Sequence, residues 1–224
     1  MKRILKIFVA CGLLTTVIVS CATPSTYPPN PMPSPTLELQ TDWWISWLAH
    51  PVCKPPCWQN ITPGVTTRDE AVSILKNIPD IAITYNGEYS LSWEHKSKLE
   101  GGNISISEDE VVSSISLGSI SERKLLLETI ITSYDEPEFV KPFDCNIEVV
   151  MCYVALIYPD LGMFLEIYTA NKGVDGTSPK FEISLDNAIS RVDFFKSGIE
   201  NFPNLYNAQE SEVPIPWKGF GTYP

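Results

Sequence analysis

Twice along this chain a capped amphipathic helix gives way to short runs in which Ile or Leu alternates with Ser. That switch from a period of about 3.6 to a period of two constrains the fold more than any other feature. In the first pass Thr67 and Glu70 have capping-box spacing. Ala71, Ile74, Leu75 and Ile78 then recur on one helical face, and Pro79 ends it. Residues 81–85, 89–94, 104–107 and 112–117 read as strands, with Asn86-Gly87 and Gly101-Gly102-Asn103 as the turns between them. Serine at alternate positions leaves one sheet face wet while the other packs beneath the helix.

The second pass has the same order. Ser119 and Glu122 repeat the capping-box spacing, Leu126, Leu127, Ile130, Ile131 and Tyr134 line a helix face, and Pro137 terminates it. Residues 149–158 form a long apolar strand, 159–162 a hairpin turn and 163–168 the returning strand. A polar loop spans 172–179, and strands at 181–185 and 189–195 turn about Asp186-Asn187. The expected fold class is therefore α+β, with two tandem helix-plus-antiparallel-sheet units at residues 61–118 and 119–197. A binding surface is expected on the sheet face opposite the helices, where Trp93 and Tyr153 are the candidates. Residues 198–224 read as an extended tail whose Trp217, Phe220 and Tyr223 fold back onto the body.

The body starts late in the sequence. Lys2, Arg3 and Lys6 precede an apolar stretch at residues 7–19, and Ile18-Val19-Ser20-Cys21 closes it, which is the pattern of a lipoprotein signal peptide over residues 1–20. Cys21 becomes the lipidated first residue, its thiol accepting the acyl anchor of the palmitate-bearing type. The stretch is shorter than the roughly 20 apolar residues a membrane span needs, Gly12, Thr15 and Thr16 interrupt it, and Ser20 follows it. Residues 21–40 carry Pro24, Pro28, Pro29, Pro31, Pro33 and Pro35 and form a tether. At about 3.1 Å per residue its length reaches roughly 60 Å. Residues 41–60 hold a short Trp-rich helix, with Trp44, Trp47 and Leu48 on one face, and then a cysteine loop.

Charge and cysteine usage narrow the role. Residues 1–20 contain three of the 16 basic residues and none of the 27 acidic ones, so the mature chain carries 13 against 27, a net charge of −14. Nucleic acid is not an expected partner, because phosphate neutralisation needs clustered Lys and Arg. The body likewise lacks a polybasic patch for anionic lipid, so attachment to the membrane rests on the acyl chains of Cys21. Cys53, Cys57, Cys145 and Cys152 make an even set in an exported chain and are expected in two disulfides. Three connectivities are open, and closeness in sequence favours Cys53 with Cys57 and Cys145 with Cys152.

Gly64-Val65-Thr66-Thr67-Arg68-Asp69-Glu70-Ala71, running to Leu75 and Pro79, resembles the glycine-threonine helix opening of small outer-membrane lipoproteins of the SmpA/OmlA type. Leu117-Gly118-Ser119-Ile120-Ser121-Glu122, running to Pro137, looks like a second, degenerate copy. Tandem helix-plus-sheet units also resemble the β-lactamase inhibitor protein, which implies a concave sheet surface that grips an enzyme. The stretch Cys53-Lys54-Pro55-Pro56-Cys57-Trp58, followed by Ile61-Thr62-Pro63-Gly64, is similar to uncharacterised lipoproteins of the Chloroflexus group. The resemblance covers residues 61–196. This chain departs from the family spacing by an insertion between Gly64 and Pro79, and by Asp135 where a glycine is expected. What the resemblance implies is an address rather than an activity.

No constellation in the sequence supports catalysis. Ser73 with Lys76 and Ser121 with Lys124 match a serine-x-x-lysine spacing, but both sit in ordinary amphipathic helices without companion motifs. His50, Cys53 and Cys57 are soft metal ligands on paper, but an oxidising compartment favours the disulfide, and neither a metal nor a cofactor is expected. Glu108-Asp109-Glu110 reads as a solvated turn, and Asp135, Glu136 and Glu138 follow a helix end. The expectation is a lipid-anchored extracytoplasmic protein of the bacterial cell envelope that acts by binding, or in envelope assembly, through a protein partner. An inhibitor of an exported enzyme or peptidase is the alternative within binding, and a cell-envelope hydrolase with an unrecognised site is the alternative from another class.

Overall fold

The computed structural model describes residue 48 and residues 51–96, 100–119, 125–144, 151–170, 180–202 and 214–224. The lipid-attachment Cys21, the tether, His50, Ser121, Lys124 and Cys145 lie outside the described residues. Helix α1 (Arg68–Asn77) opens on the expected capping box: Thr67 Oγ1 accepts from the Glu70 backbone N–H while the Glu70 carboxylate accepts from the Thr67 N–H at 2.9 Å. Four strands follow as an antiparallel meander: β1 (Ile81–Asn86), β2 (Ser90–His95), β3 (Glu100–Ile106) and β4 (Val112–Ser119).

Next come β5 (Leu125–Leu126), helix α2 (Leu127–Tyr134), β6 (Phe139–Asp144), β7 (Met151–Tyr158), β8 (Met163–Ala170), β9 (Phe181–Ile183) and β10 (Ala188–Phe195). Two short strands end the chain, β11 (Ile215–Pro216) and β12 (Gly221–Tyr223). Ser119 ends β4, so it is not the cap of α2. The first α2 amides are satisfied from outside the helix: Leu127 N donates to Asn187 O at 2.9 Å and Glu128 N to Leu185 O at 3.0 Å.

The expected pair of helix-plus-sheet units is not what forms. Ten strands make one sheet in the order β1-β2-β3-β4-β10-β8-β7-β6-β11, with β5 beside β10, and every pairing is antiparallel. The seam is β4 against β10, where Leu117 faces Val192 and Ile115 faces Phe194. Both strands bury apolar residues on the same side. A strand edge left open there would expose a row of unpaired backbone groups next to a core, and pairing the two edges removes that cost.

Strand alternation gives the sheet two unlike faces. On the first, Leu91, Trp93, Ile104, Ile115, Leu117, Val154, Leu156, Leu165, Val192 and Phe194 join Ala71 and Leu75 of α1 and Leu127 and Ile130 of α2 in a single buried cluster. A bulge in the β3–β4 ladder keeps Val112 on this face, opposite Ile106, although it lies three residues before Ile115. Trp58 covers Trp93, the rings stacked with centroids 5.2 Å apart. Leu48 is buried in the same cluster, and its carbonyl accepts a bond from the Tyr134 hydroxyl at 2.7 Å. The tail adds to the body: β12 pairs with β9, and Tyr223 stacks on Phe181 at 5.5 Å.

Candidate functional site

The second face carries the polar side chains. Across the meander it presents Ser90, Ser92 and Glu94 from β2, Asn103 and Ser105 from β3, and Ser114 and Ser116 from β4. All of these are half-buried, keeping contact with solvent. Beyond the seam the face turns apolar, with Ala155, Ile157, Phe164 and Phe195 packed under Phe202, which follows a 3-10 turn at Ile199–Asn201. Tyr153 and Tyr168 stand opposite each other on this side, edge to face at 4.6 Å.

A charged cluster marks the boundary between the two zones. Arg191 Nε donates to Ser116 Oγ at 2.8 Å and lies 2.7 Å from Asp193 Oδ2. The contact with Asp193 is an ion contact, since Oδ2 accepts no well-directed hydrogen bond among the described residues. Ser190 Oγ donates to Glu166 Oε1 at 2.7 Å. Asp193 is only 2% exposed, and burial pushes its carboxyl up to about 6, with Arg191 and Ser116 pulling the other way and Glu166 adding to the rise. A carboxyl enclosed to that degree cannot reach a substrate, so it anchors Arg191 on the face rather than exchanging protons with a ligand.

One end of the face opens into a cleft of about 450 Å³, lined by Gly64, Ser105, Ser107, Asp109, Ser113, Ser114, Phe195, Lys196 and Asn201 among others. Three loops form it: the turn between β3 and β4, the approach to α1 at Gly64, and the segment leaving β10. Gly64, at φ +78°, lies against the aliphatic stem of Lys196, and a Cβ there would stand 3.4 Å from Lys196 Cδ.

The expected residues fall in different places. Cys53 and Cys57 form a disulfide, which occupies both thiols of the weighed metal set, and Cys152 is also disulfide-bonded, its partner lying outside the described residues. Among the described residues no group of three His, Cys, Asp or Glu is placed to hold a metal. Trp93, expected on the binding face, is 2% exposed on the helix face, because its neighbours in register, Ile83 and Gly102, share the side that packs under α1 and Trp58. Tyr153 does stand on the face away from the helices. Ser73 and Lys76 are exposed on α1 and gather no partner chemistry. Arg191, Asp193 and Glu166 are not among the residues expected on the face, although charges two apart in the apolar run Ile189-Ser190-Arg191-Val192-Asp193-Phe194 signal polar groups on one sheet face.

No family model matches the chain, and no curated protein matches it. A solved structure of a DUF4309 family protein (YjgB) from Bacillus subtilis subsp. subtilis str. 168 is similar with a TM-score of 0.39 and 10% sequence identity, covering 68% of this chain and 93% of that one.

Proposed function

We propose that the protein is a lipid-anchored binding protein on the extracytoplasmic side of the cell envelope, holding a protein partner on the polar face of its sheet without catalysing a reaction. The observation that supports this is the row of half-buried hydroxyl, amide and charged side chains from Ser92 across Asn103 and Ser116 to Arg191. These side chains hold one another in place across the face, and a surface ordered in advance suits docking of a partner. With the signal removed the net charge is −14, so a basic contact surface on the partner suits it best, and association should slow as salt is added.

Affinity capture from detergent-solubilised native membranes tests the reading. Asn103→Arg should reduce capture of the partner about tenfold or more while a cooperative melt is retained, by the cost of a misplaced charge at an interface. Capture that is equal for wild type and Asn103→Arg sinks the assignment of the face. Cys21→Ser should abolish lipid labelling and leave a larger precursor; equal label and migration would remove the anchor from the proposal.

A further inference from the structure

The serines of the polar face are not equivalent. Ser92 Oγ accepts from Asn103 Nδ2 at 3.0 Å and Ser116 Oγ from Arg191 Nε at 2.8 Å, so these two are used inside the protein. Ser107 Oγ donates to Val111 O at 3.1 Å and shapes the turn. By contrast, the hydroxyls of Ser105, Ser113 and Ser114 make no hydrogen bond with the described residues, and all three line the cleft of about 450 Å³. Asp109 and Lys196, which also line it, have no ion-pair partner among the described residues either.

The volume lies within the range of roughly 300–1,000 Å³ typical of small-molecule sites, but those are mostly apolar. Here the lining is mixed: Val112 and Phe195 are buried, while Val111 stays partly open among the serines. A purely apolar or lipid ligand would leave the hydroxyls of the cleft unpaired. A phosphate would meet a single lysine and a carboxylate that repels it. A free amino acid matches Asp109 and Lys196 in sign, but both are solvent-exposed, where single ion pairs contribute little. Hydroxyls that both donate and accept, set beside an amide and one carboxylate, match a molecule that itself presents many hydroxyls.

We infer that this cleft is a binding site for a neutral saccharide, gripped by Ser105, Ser113 and Ser114 with Asp109 at the rim. The binding is independent of the protein-partner reading. Only the source of the sugar, a glycan of the cell envelope, rests on the export reading.

Full-length lipoprotein in detergent, titrated with maltotriose, cellotriose and the trimer of N-acetylglucosamine by calorimetry, provides the test. At least one trisaccharide should bind saturably, and Ser113→Phe, which fills the cleft from an exposed position, should weaken it about tenfold or more. Asp109→Ala, on an exposed turn, should weaken the same sugar less while leaving the melting temperature unchanged. Absence of saturable binding to all three sugars overturns the inference. So does binding that Ser113→Phe and Asp109→Ala leave intact, or saturable binding of inorganic phosphate or alanine in place of the sugars. Capture of the protein partner by Asp109→Ala, on the exposed turn beyond the face, should be unaffected, so failure here and failure of the face assignment are read separately.

Discussion

Asp193 is the described carboxyl whose chemistry departs furthest from its ordinary state. It sits on β10 with Arg191 beside it and Ser116 facing it on β4, while Glu166 on β8 faces Arg191, and burial outweighs the favourable contacts, holding the carboxyl at about 6. A folded-state value above the unfolded one means that the native protein binds more protons than the unfolded chain between about pH 4 and 6. The contribution of this group is therefore fully present below about pH 4 and is lost as pH rises through 6, at a cost on the order of 3 kcal/mol. Glu70, Asp80 and Asp186 run the other way. Their carboxyls are lowered by bonds from Thr67, Lys96 and Ser184 respectively, so they favour the folded state above the normal carboxylate range. The measurement is thus a difference. Asp193→Asn should show a melting temperature that rises more steeply with pH between 4 and 6.5 than wild type does, and parallel profiles would refute the buried titration.

At the scale of elements, Gly102 shows what the sequence conveys and what it hides. Gly101-Gly102-Asn103 reads as a turn, but the structure runs β3 straight through it, pairing Gly102 with Trp93 on one side and Leu117 on the other. A Cβ on Gly102 would stand 2.6 Å from the Trp93 ring and 2.5 Å from Ser116 O. The glycine is there for the indole that lies across it, a contact between strands that no local pattern records. Gly102→Ala should therefore destabilise the protein by about 1–3 kcal/mol in urea unfolding; an unchanged midpoint would show that both the ring and the Ser116 carbonyl yield. The first helix, by contrast, was legible, since a capping box and a terminal proline are local devices and Thr67 and Glu70 bond as their spacing requires. Strand β6 was not legible: Phe139-Val140-Lys141-Pro142 lacks alternation and holds a proline, which the ladder accepts at a register shift between Pro142 and Asp144. The cleft was illegible for a related reason. Ser105, Ser113 and Lys196 meet only after β4 and β10 pair, and that pairing is set by the apolar side of the sheet.

The molecule as a whole turns on that pairing. Repetition of helix and strands is present in the sequence, yet repetition does not fix where the repeats end, and here the last strand of the second half lies beside the last strand of the first. Residues 40–224 consequently form one unit rather than two. Across the seam Ile115, Leu117, Val192 and Phe194 are each at most 3% exposed, so separating the halves uncovers both apolar side chains and two rows of backbone groups. If the halves were independent, a fragment of residues 41–119 would melt cooperatively by itself. The continuous sheet leads to the opposite expectation: that fragment and its complement, residues 120–224, should each lack a cooperative thermal transition and disperse poorly in amide NMR spectra. Mixing them should restore dispersion, because β4 and β10 can pair between chains as they do within one. A sharp melt of the isolated 41–119 fragment would reinstate autonomous units and reduce the β4–β10 seam to an incidental contact.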